Sequence, residues 1–188
     1  MGAAKVRIFA ICGSTRSNSA NLQIIKAIAK EAEAIMEFEI YEQLALLPHF
    51  NPDLDNENVA ECVKELRDKI KKADGVLICT PEYVFSLPGA LKNAIEWMVS
   101  TTVFSEKPVA LITASGLGEK AHEALLLIMK TIYATYTSGT QLHIAGARAK
   151  LNEKGEITDP LIKEKILSLI NAFNELIGNL KLSLPVKS

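Results

Sequence analysis

Short apolar runs alternate along this chain with longer stretches in which apolar residues return every three or four positions. Residues 6–11 (Val6-Arg7-Ile8-Phe9-Ala10-Ile11) are nearly all apolar, which predicts a parallel strand covered on both faces. Residues 19–34 carry Leu22, Ile25, Ile28 and Ala29 on one helical face. Residues 38–41 predict a shorter, more polar strand nearer a sheet edge, followed by a long connection over 42–56 containing Pro48, Asn51 and Pro52. The alternation continues with a helix over 57–72, a strand over 75–79, a helix over 88–99 opened by Pro88, and a strand over 108–113. A helix over 120–136, a strand over 141–144, a surface turn over 152–159 and a last helix over 160–180 complete the pattern. Five strands alternating with five helices imply an α/β sandwich built on a parallel sheet. No repeat or linker interrupts them, so one domain over residues 1–188 is expected.

Two strand-to-helix segments carry the candidate chemistry. Gly13-Ser14-Thr15-Arg16-Ser17-Asn18-Ser19-Ala20-Asn21 follows the first strand and offers hydroxyl, amide and guanidinium donors just before a helix. That combination suits a phosphate dianion, although a surface loop with a Ser or Asn helix cap carries the same residues. Thr80-Pro81-Glu82-Tyr83-Val84-Phe85-Ser86-Leu87-Pro88-Gly89 follows the third strand and could wall in a flat ring. In a doubly wound sheet of order 2-1-3-4-5, strands 1 and 3 flank the point where the winding reverses, and a mononucleotide such as FMN binds there. Neither G-x-G-x-x-G nor G-x-x-x-x-G-K-[ST] is present, which sets aside a dinucleotide fingerprint and a P-loop.

The second segment continues into Leu91-Lys92-Asn93-Ala94-Ile95-Glu96-Trp97, and the whole stretch resembles the P-E-Y-N-x-S-x-P-G-x-L-K-N-A-[IL]-[DE]-W pattern of NAD(P)H-dependent FMN reductases. This flavodoxin-like family includes quinone, chromate and azo reductases. Gly13-Ser14 with Arg16, Ser19 and Asn21 is similar to its G-S-x-R-x-x-S-x-N, and Leu47 to Leu54 resembles its connection after strand 2. The resemblance implies a flavodoxin-like three-layer sandwich with a five-stranded parallel sheet of order 2-1-3-4-5. It also implies that Ser14, Arg16, Ser19, Asn21 and Leu22 hold the FMN phosphate. Pro81, Glu82, Tyr83 and Val84 would line the isoalloxazine, partly through main-chain groups, and Ser115 and Gly116, with Leu117 and Gly118, would close its other side. No side chain is implied as acid or base, since hydride passes from NAD(P)H through flavin N5 to a small-molecule acceptor. Val84 stands where the family most often has Asn, which implies loss of an amide contact to the cofactor. Glu119-Lys120 occupies a region where a Gly-Gly pair is usual, which alters the nicotinamide entrance.

Composition narrows the setting. Lys plus Arg (21) nearly cancel Asp plus Glu (22), so no overall field favours nucleic acid or an anionic membrane. The 23 % of charged residues and 48 % of apolar ones are an ordinary globular balance. Cys12, Cys62 and Cys79 are too few and scattered for a disulfide framework, and Cys12 and Cys79 read as buried, inert thiols at strand ends. No signal-peptide layout or membrane-length apolar run is present, so a cytoplasmic protein without membrane insertion is expected. His49, His122 and His143 lie on different predicted elements, and no metal site is expected from them. Phe85 could stack on a ring or pack in the core. The helix over 120–136 is apolar nearly all round, which fits either deep burial or a subunit interface, and the resemblance implies a homodimer or homotetramer. The competing functional reading is a flavin-binding or electron-transfer module without NAD(P)H turnover. The near-neutral charge argues against an acidic carrier of that kind.

Overall fold

A computed structural model describes residues 4–183 of the chain. Five strands, β1 (Val6–Cys12), β2 (Met36–Tyr41), β3 (Gly75–Thr80), β4 (Val109–Ser115) and β5 (Gln141–Ala145), form one sheet of order β2-β1-β3-β4-β5. Every pairing is parallel. The order is the doubly wound, flavodoxin-like one expected, and its reversal lies between β1 and β3. The middle strand is buried completely, as its near-continuous apolar run requires: all six residues of β3 are buried. Strand β2, at the edge, instead exposes Glu37 and Glu39.

Helices cover both faces. On one side α1 (Ala20–Glu31) and α5 (Pro160–Ser183) pack Ile24, Ile25, Ile28, Ile166 and Phe173 against Ile8, Leu77 and Ile112. On the other, α2 (Glu61–Lys72), α3 (Gly89–Glu96) and α4 (Glu119–Thr131) pack Val63, Leu66, Leu91, Leu125 and Met129 against Phe9, Ile78 and Leu111. Gly75 admits α5 closely: a Cβ there would stand 2.7 Å from the Phe173 ring.

Several element ends differ from the sequence expectation. Helix α1 stops at Glu31 rather than residue 34, because the chain turns over 32–35 to bring Met36 opposite Val6 and start β2 two residues early. Helix α2 starts at Glu61 instead of 57, the Asn56 side chain having closed a turn on the Asn58 N–H. Helix α3 ends at Glu96, short of 99. Helix α4 ends at Thr131 rather than 136, because Tyr133 takes φ +60° and Thr135 then bridges to Pro108 beside the sheet. Helix α5 extends past residue 180 to Ser183.

The apolar surround of α4 resolves into a gradient. Ala121, Leu125 and Met129 are buried, Leu126, Ile128 and Ile132 are half-buried, and Leu127 and Tyr133 stand exposed. Deep burial of the whole helix is therefore corrected. Phe85 is 70 % exposed, which removes its core-packing reading.

Candidate functional site

The carboxyl ends of β1, β3, β4 and β5 surround a cavity of about 400 Å³, within the range of ligand pockets at roughly 300–1,000 Å³. The phosphate-type loop forms one wall. Ser19 caps α1 by accepting the Leu22 N–H at 3.2 Å, and Ser14 accepts the Arg16 N–H at 3.3 Å, so the loop's own hydroxyls fix its backbone. Gly13, just past β1, permits a close approach to the end of the neighbouring strand β3: a Cβ at 13 would lie 2.5 Å from Thr80 Oγ1. Ion pairs among the described residues use Arg7 and Arg67 and leave Arg16 unpaired.

Of the residues expected at the site, Ser14, Arg16, Ser19, Asn21, Pro81, Tyr83, Ser115 and Gly116 are brought together around this cavity. Leu22, Glu82, Val84, Leu117 and Gly118 are not among the residues that line it. The Leu22 side chain is buried in the core under α1, and its N–H is already taken by Ser19. The Glu82 carboxylate turns away to accept the Ala121 N–H at 2.9 Å at the start of α4. That bond, with smaller help from the Gly118 and Lys120 N–H groups and from His143, outweighs desolvation and holds the carboxyl below its usual range. The Glu82 side chain thus ties the β3 loop to α4.

Val84 does not line the cavity either, for a conformational reason. Tyr83 and Ser86 exchange both backbone hydrogen bonds (3.0 and 3.1 Å), and Val84 and Phe85 between them have φ +52° and +55°. Two left-handed residues inside such a pair make a type I′ turn, which Asn-Gly favours and a β-branched residue resists. Val84 is 96 % exposed at the tip, so its side chain reaches no neighbour that could offset the strain. Position 84 therefore sets the turn. Val84→Asn is expected to raise stability by about 1 kcal/mol, seen as a higher urea midpoint with unchanged m-value.

Sequence reasoning missed part of the wall. Asn18 and the segment Gly146 to Ala149 also line the cavity, and bring in Arg148, a second arginine without an ion pair among the described residues. Gly146 has φ +61° and donates its N–H to the Gly116 carbonyl at 3.0 Å, joining the turns after β4 and β5. The signal was present in the Gly146-Ala147-Arg148 run at the carboxyl end of the fifth strand.

Two histidines meet behind the β4 loop. The His122 and His143 rings stack at 5.8 Å, His143 Nε2–H donates to the Leu117 carbonyl at 2.5 Å, and His122 Nδ1 lies 3.1 Å from Thr113 Oγ1. Among the described residues no third ligand joins them to hold a metal. Burial, and then the adjacent His143, keep His122 below its ordinary pKa of 6.5. The unfolded chain therefore takes up this proton first as pH falls, so stability is full above about 6.5 and declines below it. The urea midpoint is expected to fall between pH 7 and pH 5, and His122→Gln to flatten that fall.

Comparison with known proteins decides the family. The model of the NADPH-dependent FMN reductase family matches residues 6–149, from the first strand through the Arg148 turn. The chain belongs to the NADPH-dependent FMN reductase family. It is similar to a quinone reductase of Escherichia coli strain K12, at 30 % identity over 95 % of this chain and 98 % of that protein. An NADPH azoreductase of Bacillus sp. strain OY1-2 is 32 % identical over 87 % of this chain and 90 % of its own. Among solved structures, the flavoenzyme NAD(P)H:(acceptor) oxidoreductase FerB of Paracoccus denitrificans superposes with a TM-score of 0.80 at 27 % identity, covering 93 % of this chain and 98 % of that one. This FMN reductase family matches through the β5 turn, where the missed part of the cavity wall lies.

Proposed function

We propose that the cavity holds FMN, with Ser14, Arg16, Ser19 and Asn21 around its phosphate and Pro81, Tyr83, Ser115 and Gly116 beside its ring system. As a member of its family the chain is a flavin-dependent oxidoreductase that takes electrons from NAD(P)H. The observation that carries the placement is the convergence of the β1 and β3 loops on one cavity, with cationic Arg16 and the donors of the first loop on its wall. Their chemistry fits a phosphate dianion: hydroxyls, a carboxamide, a helix start and an unpaired guanidinium. Pro81 and Tyr83 supply apolar surface for a planar ring, and Tyr83 is half exposed, which leaves one side open to a second molecule.

When bound, FMN supplies the hydride acceptance and electron release. The residues of this chain bind and orient it. Glu82 locks the β3 loop to α4, and the Gly146 N–H locks the β5 turn to Gly116, so the walls are tied to their neighbours by bonds of the chain itself. Electron acceptors of the quinone, azo, free-flavin or metal-oxyanion class suit an open apolar mouth that makes few specific contacts. We also propose that the protein works in the cytoplasm as a homodimer or homotetramer. Exposed Leu127 and Tyr133 at α4, and Leu117 and Phe85 near the mouth, offer the apolar surface for a second copy. No helix among the described residues is long and apolar enough to cross a membrane.

The test is the visible spectrum of the FMN-reconstituted protein before and after anaerobic NADPH, then after a quinone. The expected result is a bound flavin band that bleaches with NADPH and returns with the quinone. A retained band that NADPH leaves unchanged would point to the flavin-carrier reading, and failure to retain flavin would remove the placement.

A further inference from the structure

We propose that the buried thiol of Cys79 is a positioning residue for the phosphate end of this site, holding the Asn21 side chain so that its amide N–H groups face the phosphate. This rests on the reading that the cavity holds FMN. Cys12 and Cys79 are register partners on β1 and β3, next to the carboxyl ends of both strands. Both are buried and belong to the core set that α1 covers. Neither lines the cavity, yet each reaches from beneath a residue that does. Cys79 Sγ lies 3.3 Å from Asn21 Oδ1. Cys12 Sγ lies 3.7 Å from Ser19 Oγ and 3.5 Å from the Ser14 carbonyl.

An Asn side chain presents an acceptor on one side and two donors on the other, and a half-turn exchanges them. Facing a phosphate dianion, only the donor side attracts; the carbonyl oxygen would repel it. A protonated thiol decides between the two orientations, because it donates and so draws Oδ1 inward. Burial, with Cys12 beside it, pushes the Cys79 thiol well above its ordinary pKa of 9.0, so it keeps that proton at neutral pH. Asn21 is 3 % exposed and lies in the first turn of α1, where its amide has little room to find another partner. An apolar residue at 79 would fill the same space among Leu77, Ile112 and Ile25 but would give the amide no preferred orientation.

The experiment titrates FMN and riboflavin into apo-protein, following flavin fluorescence, for the wild type and for Cys79→Val, Cys79→Ser and Asn21→Ala. Cys79→Val keeps the bulk and removes the donor; Cys79→Ser keeps a donor. Cys79→Val is expected to weaken FMN about 3- to 10-fold and to leave riboflavin, which lacks the phosphate, within about twofold. Cys79→Ser is expected to restore FMN binding, and adding Cys79→Val to Asn21→Ala to cost nothing further. Unchanged FMN affinity in Cys79→Val overturns the inference, as does an equal loss for both flavins, which would mark a packing role alone. If Cys79→Val does not fold, Cys79→Ala takes its place under the same criteria. A wild type that binds riboflavin as tightly as FMN overturns the phosphate site itself, and with it this role of Cys79. A wild type that prefers FMN, with the preference unchanged in Cys79→Val, overturns the role of Cys79 alone.

Discussion

Trp97→Ala is expected to cost about 3–5 kcal/mol of folding stability while leaving FMN affinity within about twofold. Trp97 is 1 % exposed and ends α3 with its ring edge-on to Phe50, centroids 5.1 Å apart at 89°. Its Nε1–H donates to the Pro48 carbonyl at 2.8 Å, an oxygen that also accepts Asn93 Nδ2 at 2.9 Å. Asn93 Oδ1 accepts the Phe50 N–H at 2.7 Å, and the Arg67 Nε–H donates to the Trp97 carbonyl at 3.0 Å while its Nη2 holds Asp55. Together these bonds clip the long connection after β2 onto α3. Truncation would leave a cavity and release one side of that clip. Trp97→Phe keeps a ring, and Asn93 still serves Pro48, so it should cost less. Because Trp97 is the single tryptophan, unfolding is followed by circular dichroism with urea. A cost below about 1 kcal/mol in Trp97→Ala would mean the clip is dispensable.

That expectation separates two roles that the family-like motif runs together. Pro81 and Tyr83 line the cavity, whereas Asn93 and Trp97, a few residues on, work on the connection behind it. A run of matching residues states that they serve one architecture, but not which face each side chain takes. Glu82 shows the same limit: its position in sequence put it at the site, and the N–H groups opening α4 drew its carboxylate elsewhere. The strands were legible because a parallel strand covered on both faces has no polar register to hide in, as β3 illustrates. Helix ends were less so. The stop at Glu31 is imposed by the pairing of Met36 with Val6, and the stop at Thr131 by a left-handed Tyr133, and neither has a Gly or Pro to announce it. Arg148 and the His122–His143 stack were hidden for a related reason, since the sheet order, not sequence proximity, places the β4 and β5 turns side by side.

Arg16→Ala is expected to weaken FMN about 10- to 100-fold, the loss of one or more charge-assisted hydrogen bonds of roughly 1.5–3 kcal/mol at about 1.4 kcal/mol per tenfold. Riboflavin binding should stay within about twofold, because the guanidinium has no role at the ring. The backbone at 16 is already fixed by Ser14, so the substitution removes charge without unfolding the loop. Arg16→Lys should recover only part of the loss, a point charge lacking the forked donors that match phosphate oxygens. Arg148, exposed, lining the same cavity and also without an ion pair among the described residues, sets the comparison. If both arginines grip the same dianion, Arg148→Ala weakens FMN too, and the double variant departs from additivity. If Arg148→Ala spares FMN affinity but raises KM for NADPH, the second arginine faces the incoming dinucleotide, and the cavity divides its two cations between two anions. Equal FMN and riboflavin affinities in Arg16→Ala and wild type alike would take the phosphate away from the β1 loop.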